Sequence, residues 1–274
     1  MWTKRDQAYW DELMAWEQQL AADQNSTVEE ANSFTSQAAA VLPEETQTFL
    51  AEKADEGLKN IYAVMHKTQL QNEVRSRVLA VARVFDDEIE TLAHMRRLPI
   101  DQLHYISSQQ TARSRLLAAA QGALTGTGKL LPLAADVVSL PLIQLHVIEA
   151  TAMSYGFDLN ESFEKETILH VLYTAMLPKH LKVDGWAQLI TEVEEGTSYI
   201  DGRWSFNESM LREPLQYIIK LAAVRGFRRQ KMSGLPLLSM AIGIGASWRT
   251  VNETAVLAER YYQYRYLHEK KNRN

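Results

Sequence analysis

Apolar residues recur at steps of three and four along nearly the whole chain, and this spacing constrains the fold more than any other feature. In the first segment, one helical face carries Tyr9, Leu13, Trp16 and Leu20. No paired runs of alternating β-branched residues flank an Asn-Gly or Asp-Gly turn, the pattern that predicts a hairpin. The sequence therefore predicts an all-α fold, built as a single multi-helix domain.

Capping residues and prolines divide the chain into predicted helices. Thr27 with Glu30, and Asp158 with Glu161, fit capping boxes, and Pro43 fits a first helical turn. The further predicted segments are Val74–Phe85, a helix from Asp101, Pro132–Tyr155 ended by Gly156, a segment closed by Pro178, Asp184–Tyr199, Asn207–Gln230, Leu235–Ser247 and Asn252–Glu269. We expect an N-terminal helical layer, residues 1–98, to pack on a glycine-rich apolar helical core, residues 101–269.

Composition excludes several kinds of chemistry. The 274 residues contain no cysteine, which rules out disulfides, thiolate metal sites and cysteine nucleophiles. A net charge of −5 gives no overall electrostatic footprint for nucleic acid. The N-terminus lacks the apolar stretch of a signal peptide, and no run reaches the roughly 18 apolar residues of a membrane span. We expect a cytoplasmic protein, or one bound peripherally to the inner face of the cell membrane.

The stretch "QGALTGTGKLLPLAADVV", which starts at Gln121, resembles a nucleotide loop in composition only. A Walker A loop requires G-x-x-x-x-G-K-[ST], whereas Ala123 stands where the first glycine belongs and Leu130 where the magnesium-binding hydroxyl belongs. A dinucleotide fingerprint would require a glycine or alanine at Leu131. We therefore expect no nucleotide, and the glycines call for another explanation.

Small residues at helical spacing supply that explanation. Ala118, Gly122 and Gly126 lie four apart, so they form a stripe that lets two helix backbones approach closely. Gly128 and Pro132 then predict a break and a restart. The later segment "LPLLSMAIGIGASW" repeats this pattern of small residues with Ala241, Gly243 and Gly245. We expect two glycine-containing apolar helices to pack closely in the core.

Asp136 is a single carboxylate inside a strongly apolar helix, where an unpaired buried charge is costly. One interpretation is a buried acid that binds a ligand, an ion or a partner amide, and an enzyme built around it, such as a hydrolase, is the alternative functional hypothesis. The other interpretation is that Asp136 caps the helix restart or pairs with Lys129. Serine hydrolysis has no support, since no G-x-S-x-G motif occurs and Ser139 and Ser154 lack a His/Asp constellation.

Two acid–histidine pairs resemble ligand sets for a di-metal site in a helix bundle. His146 and Glu149 are three residues apart, and Glu166 and His170 are four apart. The usual Glu-x-x-His pair is absent, because the first pair reverses the order and the second has the wrong spacing. We expect histidines at the surface or the edge of the core, with no metal and no cofactor.

A basic cluster, Arg225, Arg228 and Arg229, precedes an apolar segment that ends at Trp248. Such a cluster beside an aromatic-ended helix suits contact with an anionic membrane surface, while salt bridges to the acids of "TEVEEG" would account for it equally well. The last helix, "ERYYQYRYLHEKKNR", interleaves tyrosines with arginines. This pattern favours an amphipathic helix that packs its aromatic face over one that stacks nucleic-acid bases or docks on lipid headgroups.

The order of these segments resembles that of the EcsC family from about Leu116 to Leu267. The matching stretches are "GALTGTGKLLPLAADVVSLPLIQLHVIEATAMSYGFD" and "LPLLSMAIGIGASWRTVNETAVLAERYYQYRYL". The family-pattern residues carried over are Gly122, Gly126, Asp136, Tyr155, Gly156, Asp158, Gly245 and Asn252. Lys129 departs from the pattern, since the family more often keeps a small residue there.

This resemblance implies an accessory role and no particular reaction. The family takes its name from a protein encoded beside the two components of an ABC transporter, in a system linked to secretion and membrane-protein processing. Taking it together with the basic cluster, we expect a non-enzymatic protein that contacts an anionic membrane surface, a membrane-protein complex or an apolar ligand. Asp136, Tyr155, Asp158 and Asn252 are the residues we expect to bind such a ligand.

Overall fold

The computed structural model describes a set of packed helices. Its described part contains no β-strand, and the all-α prediction is confirmed. The described residues are 2–24, 48, 52, 55–56, 59–61, 63, 68–125, 130–177, 179–195 and 236–273. The predicted capping box at Thr27 and Glu30, the helix start at Pro43 and the segment Asn207–Gln230 lie outside them.

The main helices of the described part, in chain order, are α1 (Lys4–Gln24), α2 (Thr68–Ala82), a 3-10 helix (Leu92–Arg97), α3 (Ile100–Thr125), α4 (Leu130–Ser154), α5 (Ser162–Met176), α6 (Lys179–Glu195) and α7 (Pro236–Asn272). Helix α7 packs most extensively on α3 and α4, which also pack on each other. Helices α1, α5 and α6 surround this trio, and α1 contacts both α6 and α7. One hydrophobic cluster runs from Ile61 to Leu267, so the N-terminal and C-terminal parts share a core.

Helix α7 is continuous through 37 residues. The prediction of two separate helices, Leu235–Ser247 and Asn252–Glu269, is therefore wrong. No proline or glycine stands between Ser247 and Asn252 to end a helix. Ser247 and Val251 are both buried, so packing against neighbouring helices continues through the predicted gap.

Gly156 ends α4, as predicted. Its φ of +84° lies in the left-handed region that favours glycine. The amide of Gly156 donates to the carbonyl of Met153, and the amide of Phe157 donates to the carbonyl of Ala152, which together form a Schellman C-cap. A Cβ at Gly156 would also lie 2.8 Å from the carbonyl oxygen of Leu92, so the turn packs tightly against the 3-10 helix.

Capping at the helix starts differs from the prediction. The N-cap of α5 is Glu161, which makes no side-chain capping bond, so the capping box at Asp158 and Glu161 is wrong. The Asp158 carboxylate instead accepts a hydrogen bond from the Asn160 amide. A reciprocal capping box occurs at the start of α1, where Asp6 accepts from the Thr3 amide at 2.8 Å and Thr3 accepts from the Asp6 amide at 3.2 Å.

The glycine-bearing helices pack on each other, but Gly245 takes no part in the contact. It is exposed, and a Cβ there would meet nothing within 4 Å, which contradicts its predicted role in close packing. Ala118 of α3 is fully buried in a cluster that includes Val251 and Ala255 of α7. Gly122 and Gly243 lie in α3 and α7, but their surroundings, together with Gly126 and Gly128, lie outside the description.

Candidate functional site

The carboxylate of Glu259 is the centre of a polar cluster that joins three helices. The Tyr155 hydroxyl, at the end of α4, donates to its Oε1 at 2.5 Å. From α3, the Ser107 hydroxyl donates to Oε2, and the His104 Nδ1 lies 2.9 Å from Oε1. The Gln263 amide donates from the next turn of α7 at 3.3 Å. Only 14% of the Glu259 side chain is exposed, so these protein donors replace most of its hydration.

The charges in this cluster compensate one another. The hydrogen bond that His104 donates to Glu259 is the main cause that raises the pKa of His104 above its usual 6.5, and partial burial opposes it. Burial, followed by the charge of Glu259, raises the pKa of Tyr155 well above its usual 10. Tyr155 therefore keeps its proton and remains a donor at neutral pH, while the imidazolium form of His104 is favoured beside the carboxylate.

The order of the groups differs from that of a serine hydrolase. In a Ser-His-acid relay the imidazole stands between the hydroxyl and the carboxylate, so that it can accept the hydroxyl proton. Here the carboxylate of Glu259 binds both Ser107 and His104. The Ser107 hydroxyl donates to a carboxylate instead of to a base that a third group orients. This arrangement joins α3, α4 and α7 and lacks the imidazole bridge between hydroxyl and carboxylate that defines such a relay.

A second buried polar group lies further along α7, where Arg265 forms an ion pair with Glu164 of α5. The Arg265 Nη1 lies 3.0 and 2.9 Å from the two carboxylate oxygens. The Tyr262 hydroxyl donates to the same carboxylate at 2.8 Å. The guanidinium also lies over the ring of Phe157, 4.0 Å from its centroid. Hydrogen bonds and an aromatic ring thus surround a buried charge that would otherwise be costly.

The four predicted ligand-binding residues occupy different places. Tyr155 belongs to the Glu259 cluster, and Asp158 forms an ion pair with Arg75 of α2 at 2.5 Å. Asn252 lies half-buried on α7, two turns before Glu259. Asp136 lies in α4, and its side chain is outside the description. Eighteen residues of helix, about 27 Å, separate it from Ser154, and Tyr155 directly follows that helix end, so Asp136 and Tyr155 cannot share one small-molecule site.

The residues predicted to contact a membrane are only partly described. Trp248 lies on α7 with 41% of its surface exposed. The cluster Arg225, Arg228 and Arg229 lies outside the described residues. The aromatic face of the last helix is buried, as the pattern favoured, with Tyr261 and Tyr262 almost fully enclosed.

The acid–histidine pairs make separate contacts. His146 lies 3.2 Å from Glu149, whose carboxylate also accepts a hydrogen bond from Gln71 of α2. His170 is fully buried, and its Nδ1 lies 2.9 Å from Glu192 of α6. Burial raises the pKa of Glu166. Within the described part of the chain, no group of three or more acidic or histidine side chains could hold a metal ion.

The sequence interpretation missed Glu259, His104 and Arg265. A signal was present in the last helix, where Glu259 shares a helical face with Ala255, Tyr262 and Tyr266, all of them core positions. An acid on an apolar helical face needs a partner, and this holds for Glu259 as it does for Asp136. No spacing in the sequence identifies the partners, because they lie about 100 and 150 residues away.

The fold and this cluster define an all-α protein in which buried carboxylates join the central helices. These carboxylates accept hydrogen bonds from protein side chains. The chain belongs to the EcsC protein family, whose family model matches residues 7–267. Searches of curated proteins and of solved structures find no match. Over the described residues, every helix is too short or too polar to cross a membrane.

Proposed function

We propose that this EcsC-family chain is a non-enzymatic accessory protein that acts at the cytoplasmic face of a membrane, where it binds anionic lipid beside a membrane-protein complex. The family resemblance supports the complex, because it implies a link to ABC transporters and secretion. The proposed lipid contact depends on one feature of α7, the exposed pair Trp248 and Arg249.

The side chains of Trp248 and Arg249 suit a lipid surface. They follow the apolar first third of α7, and their exposed fractions are 41% and 80%. An indole favours the boundary between headgroups and acyl chains, and a guanidinium favours lipid phosphate. The partner of Arg249 in the protein is Glu253 at 3.8 Å, an exposed and weak ion pair that an anionic headgroup can replace.

The buried carboxylates support a non-enzymatic role. The oxygens of Glu259 and Glu164 accept hydrogen bonds from protein side chains, so these acids are engaged in holding helices together. A general base needs a carboxylate that can reach a substrate proton. An enzyme built around Asp136 is the competing hypothesis, and the test below separates the two.

The test is flotation of the full chain with vesicles of phosphatidylcholine alone or mixed with phosphatidylglycerol. We expect binding only to the anionic vesicles and a loss of binding as salt rises. Arg249→Glu should weaken partitioning roughly 25-fold, because each basic residue at an anionic surface contributes about 1 kcal/mol and the reversal changes two units of charge. Trp248→Ser and the triple change of Arg225, Arg228 and Arg229 to glutamate should also weaken binding.

Arg77→Glu is the matched control, because Arg77 is an exposed arginine on α2 and the charge change is the same. Equal binding by Arg249→Glu and Arg77→Glu would contradict the proposed contact. No binding by the wild-type chain, together with a ligand found beside Asp136, would favour the enzyme hypothesis instead.

A further inference from the structure

An open cleft of about 300 Å³ lies where the 3-10 helix, the start of α3 and the end of α7 meet. Four basic side chains line it, namely Arg96, Arg97, Lys270 and Arg273, and the acidic residue in its lining is Glu269. Leu98, Pro99 and Tyr266 complete the wall. The lining residues carry a net charge of +3 in a chain whose overall charge is −5, which makes the cleft a candidate site for an anion.

Two of the basic groups are held in place by the protein. Lys270 binds the buried Asp6 carboxylate at 2.9 Å, which fixes the end of α7 to the start of α1. Arg96 lies 2.9 Å from Glu269, and its guanidinium lies over the ring of Phe157. These contacts form the rigid part of the wall.

The other two guanidiniums are weakly engaged. Arg97 lies 3.7 Å from Glu88, and their side chains are 55% and 79% exposed. Arg273 lies 3.3 Å from Glu269, and its side chain is 65% exposed. Exposed ion pairs of this kind contribute little, so an incoming anion can replace the carboxylates at small cost. The contact between Arg273 and Glu269 shows that this guanidinium binds an anionic oxygen at the cleft wall.

We propose that this cleft binds a phosphate group, with Arg97 and Arg273 as its two exchangeable ligands. Guanidinium forks match the oxygens of phosphate, and two cations balance a phosphate dianion. The positive end of α3, which begins at Ile100 directly after Pro99, favours an anion, whereas the negative end of α7 opposes it. The arginines therefore supply the net attraction.

The phosphate can belong to a soluble phosphomonoester or to a lipid headgroup. The proposal does not depend on the membrane contact at Trp248, because 22 residues of continuous helix place Lys270 about 33 Å from it. Variants at one place leave the other unchanged, so failure of either proposal can be recognised separately.

The test compares the double variant Arg97→Ala/Arg273→Ala with Arg77→Ala/Arg113→Ala, which removes two exposed arginines elsewhere. Binding of inorganic phosphate and of glycerol phosphate is measured by titration calorimetry at low salt, up to about 10 mM ligand, which detects millimolar affinity. Co-sedimentation with phosphatidic acid vesicles is measured in parallel. Because all four arginines are exposed, circular dichroism should show unchanged folding.

We expect the cleft variant to bind at least tenfold more weakly and the control to match the wild-type chain, because only the cleft variant loses the two guanidiniums that hydrogen-bond the phosphate. Binding of the soluble phosphates that is lost in the cleft variant supports a free phosphate ligand. Binding of the vesicles alone, lost in the same variant, supports a lipid phosphate. Equal binding by the two double variants, or no binding of either probe by the wild-type chain, overturns the proposal.

Discussion

The turn at Gly156 gives the sharpest test of the fold, because two separate penalties act on one added methyl group. In Gly156→Ala, the alanine must adopt a φ of +84°, which costs an L-residue about 1–2 kcal/mol. Its Cβ must also fit 2.8 Å from the Leu92 carbonyl oxygen and 3.1 Å from the Met95 Cβ. Neither the backbone oxygen nor a Cβ can rotate away, so overpacking adds about 1–3 kcal/mol.

The sum is a loss of about 2–5 kcal/mol in the free energy of unfolding. For a chain of this size each kcal/mol lowers the melting temperature by about 2 °C, so we expect a fall of roughly 4–10 °C. Urea unfolding followed by circular dichroism should show the same loss as a lower midpoint with an unchanged slope.

Gly245→Ala is the matched control, because it makes the same change at an exposed position inside α7. A Cβ there meets nothing within 4 Å, and alanine favours a helix over glycine by about 1 kcal/mol. The two variants should therefore shift stability in opposite directions. A Gly156→Ala protein as stable as the wild type, or a Gly245→Ala protein that loses as much as Gly156→Ala, would refute the reasoning.

Three other variants test the buried polar groups. Arg265→Met should lower the free energy of unfolding by about 3–5 kcal/mol, because it leaves the Glu164 carboxylate buried without its cation. In a double-mutant cycle, adding Glu164→Gln should recover much of this loss. Additive losses would contradict the pairing. Tyr155→Phe should cost about 1–3 kcal/mol in urea unfolding, since Glu259 loses a donor, and an unchanged midpoint would argue against that bond. The raised pKa of His104 predicts a contribution to stability that is complete below its unfolded pKa, near 6.5, and is lost as pH rises through the folded value. His104→Gln should remove this slope, whereas a proton NMR titration that places the pKa of His104 below 6.5 would exclude it.

The glycines show which structural roles a local sequence pattern can predict and which it cannot. Gly156 could be identified as a helix end because the signal, a glycine after a long apolar helix, is local and its conformational reason acts at one residue. The interhelical role predicted for Gly245 was wrong, since a stripe of small residues does not say which face of the helix meets a neighbour. Gly185 of α6 was not identified, yet a Cβ there would lie 2.9 Å from atoms of Thr174 and Leu177.

In the candidate site too, the sequence identified single residues but not their distant partners. Tyr155 was identified among the family-pattern residues, but the acid that it contacts was not, because Glu259 is 104 positions away. Asp158 was predicted as a helix cap, and a long-range partner, Arg75 of α2, takes its carboxylate instead. A spacing rule describes neighbours on one helix, while a buried charge is satisfied by whichever helix packs against it.

The sequence by itself determined the all-α class and the end of α4, because helical periodicity and a left-handed glycine act over a few residues. It also determined the family, since the ordered set of segments spans most of the chain. Only the tertiary structure decided that α7 is one helix, that Glu259 and Arg265 find their partners across it, and that four basic side chains meet in one cleft. Each of these depends on which side chains burial brings together, and burial is a property of the packed helices and not of any one segment.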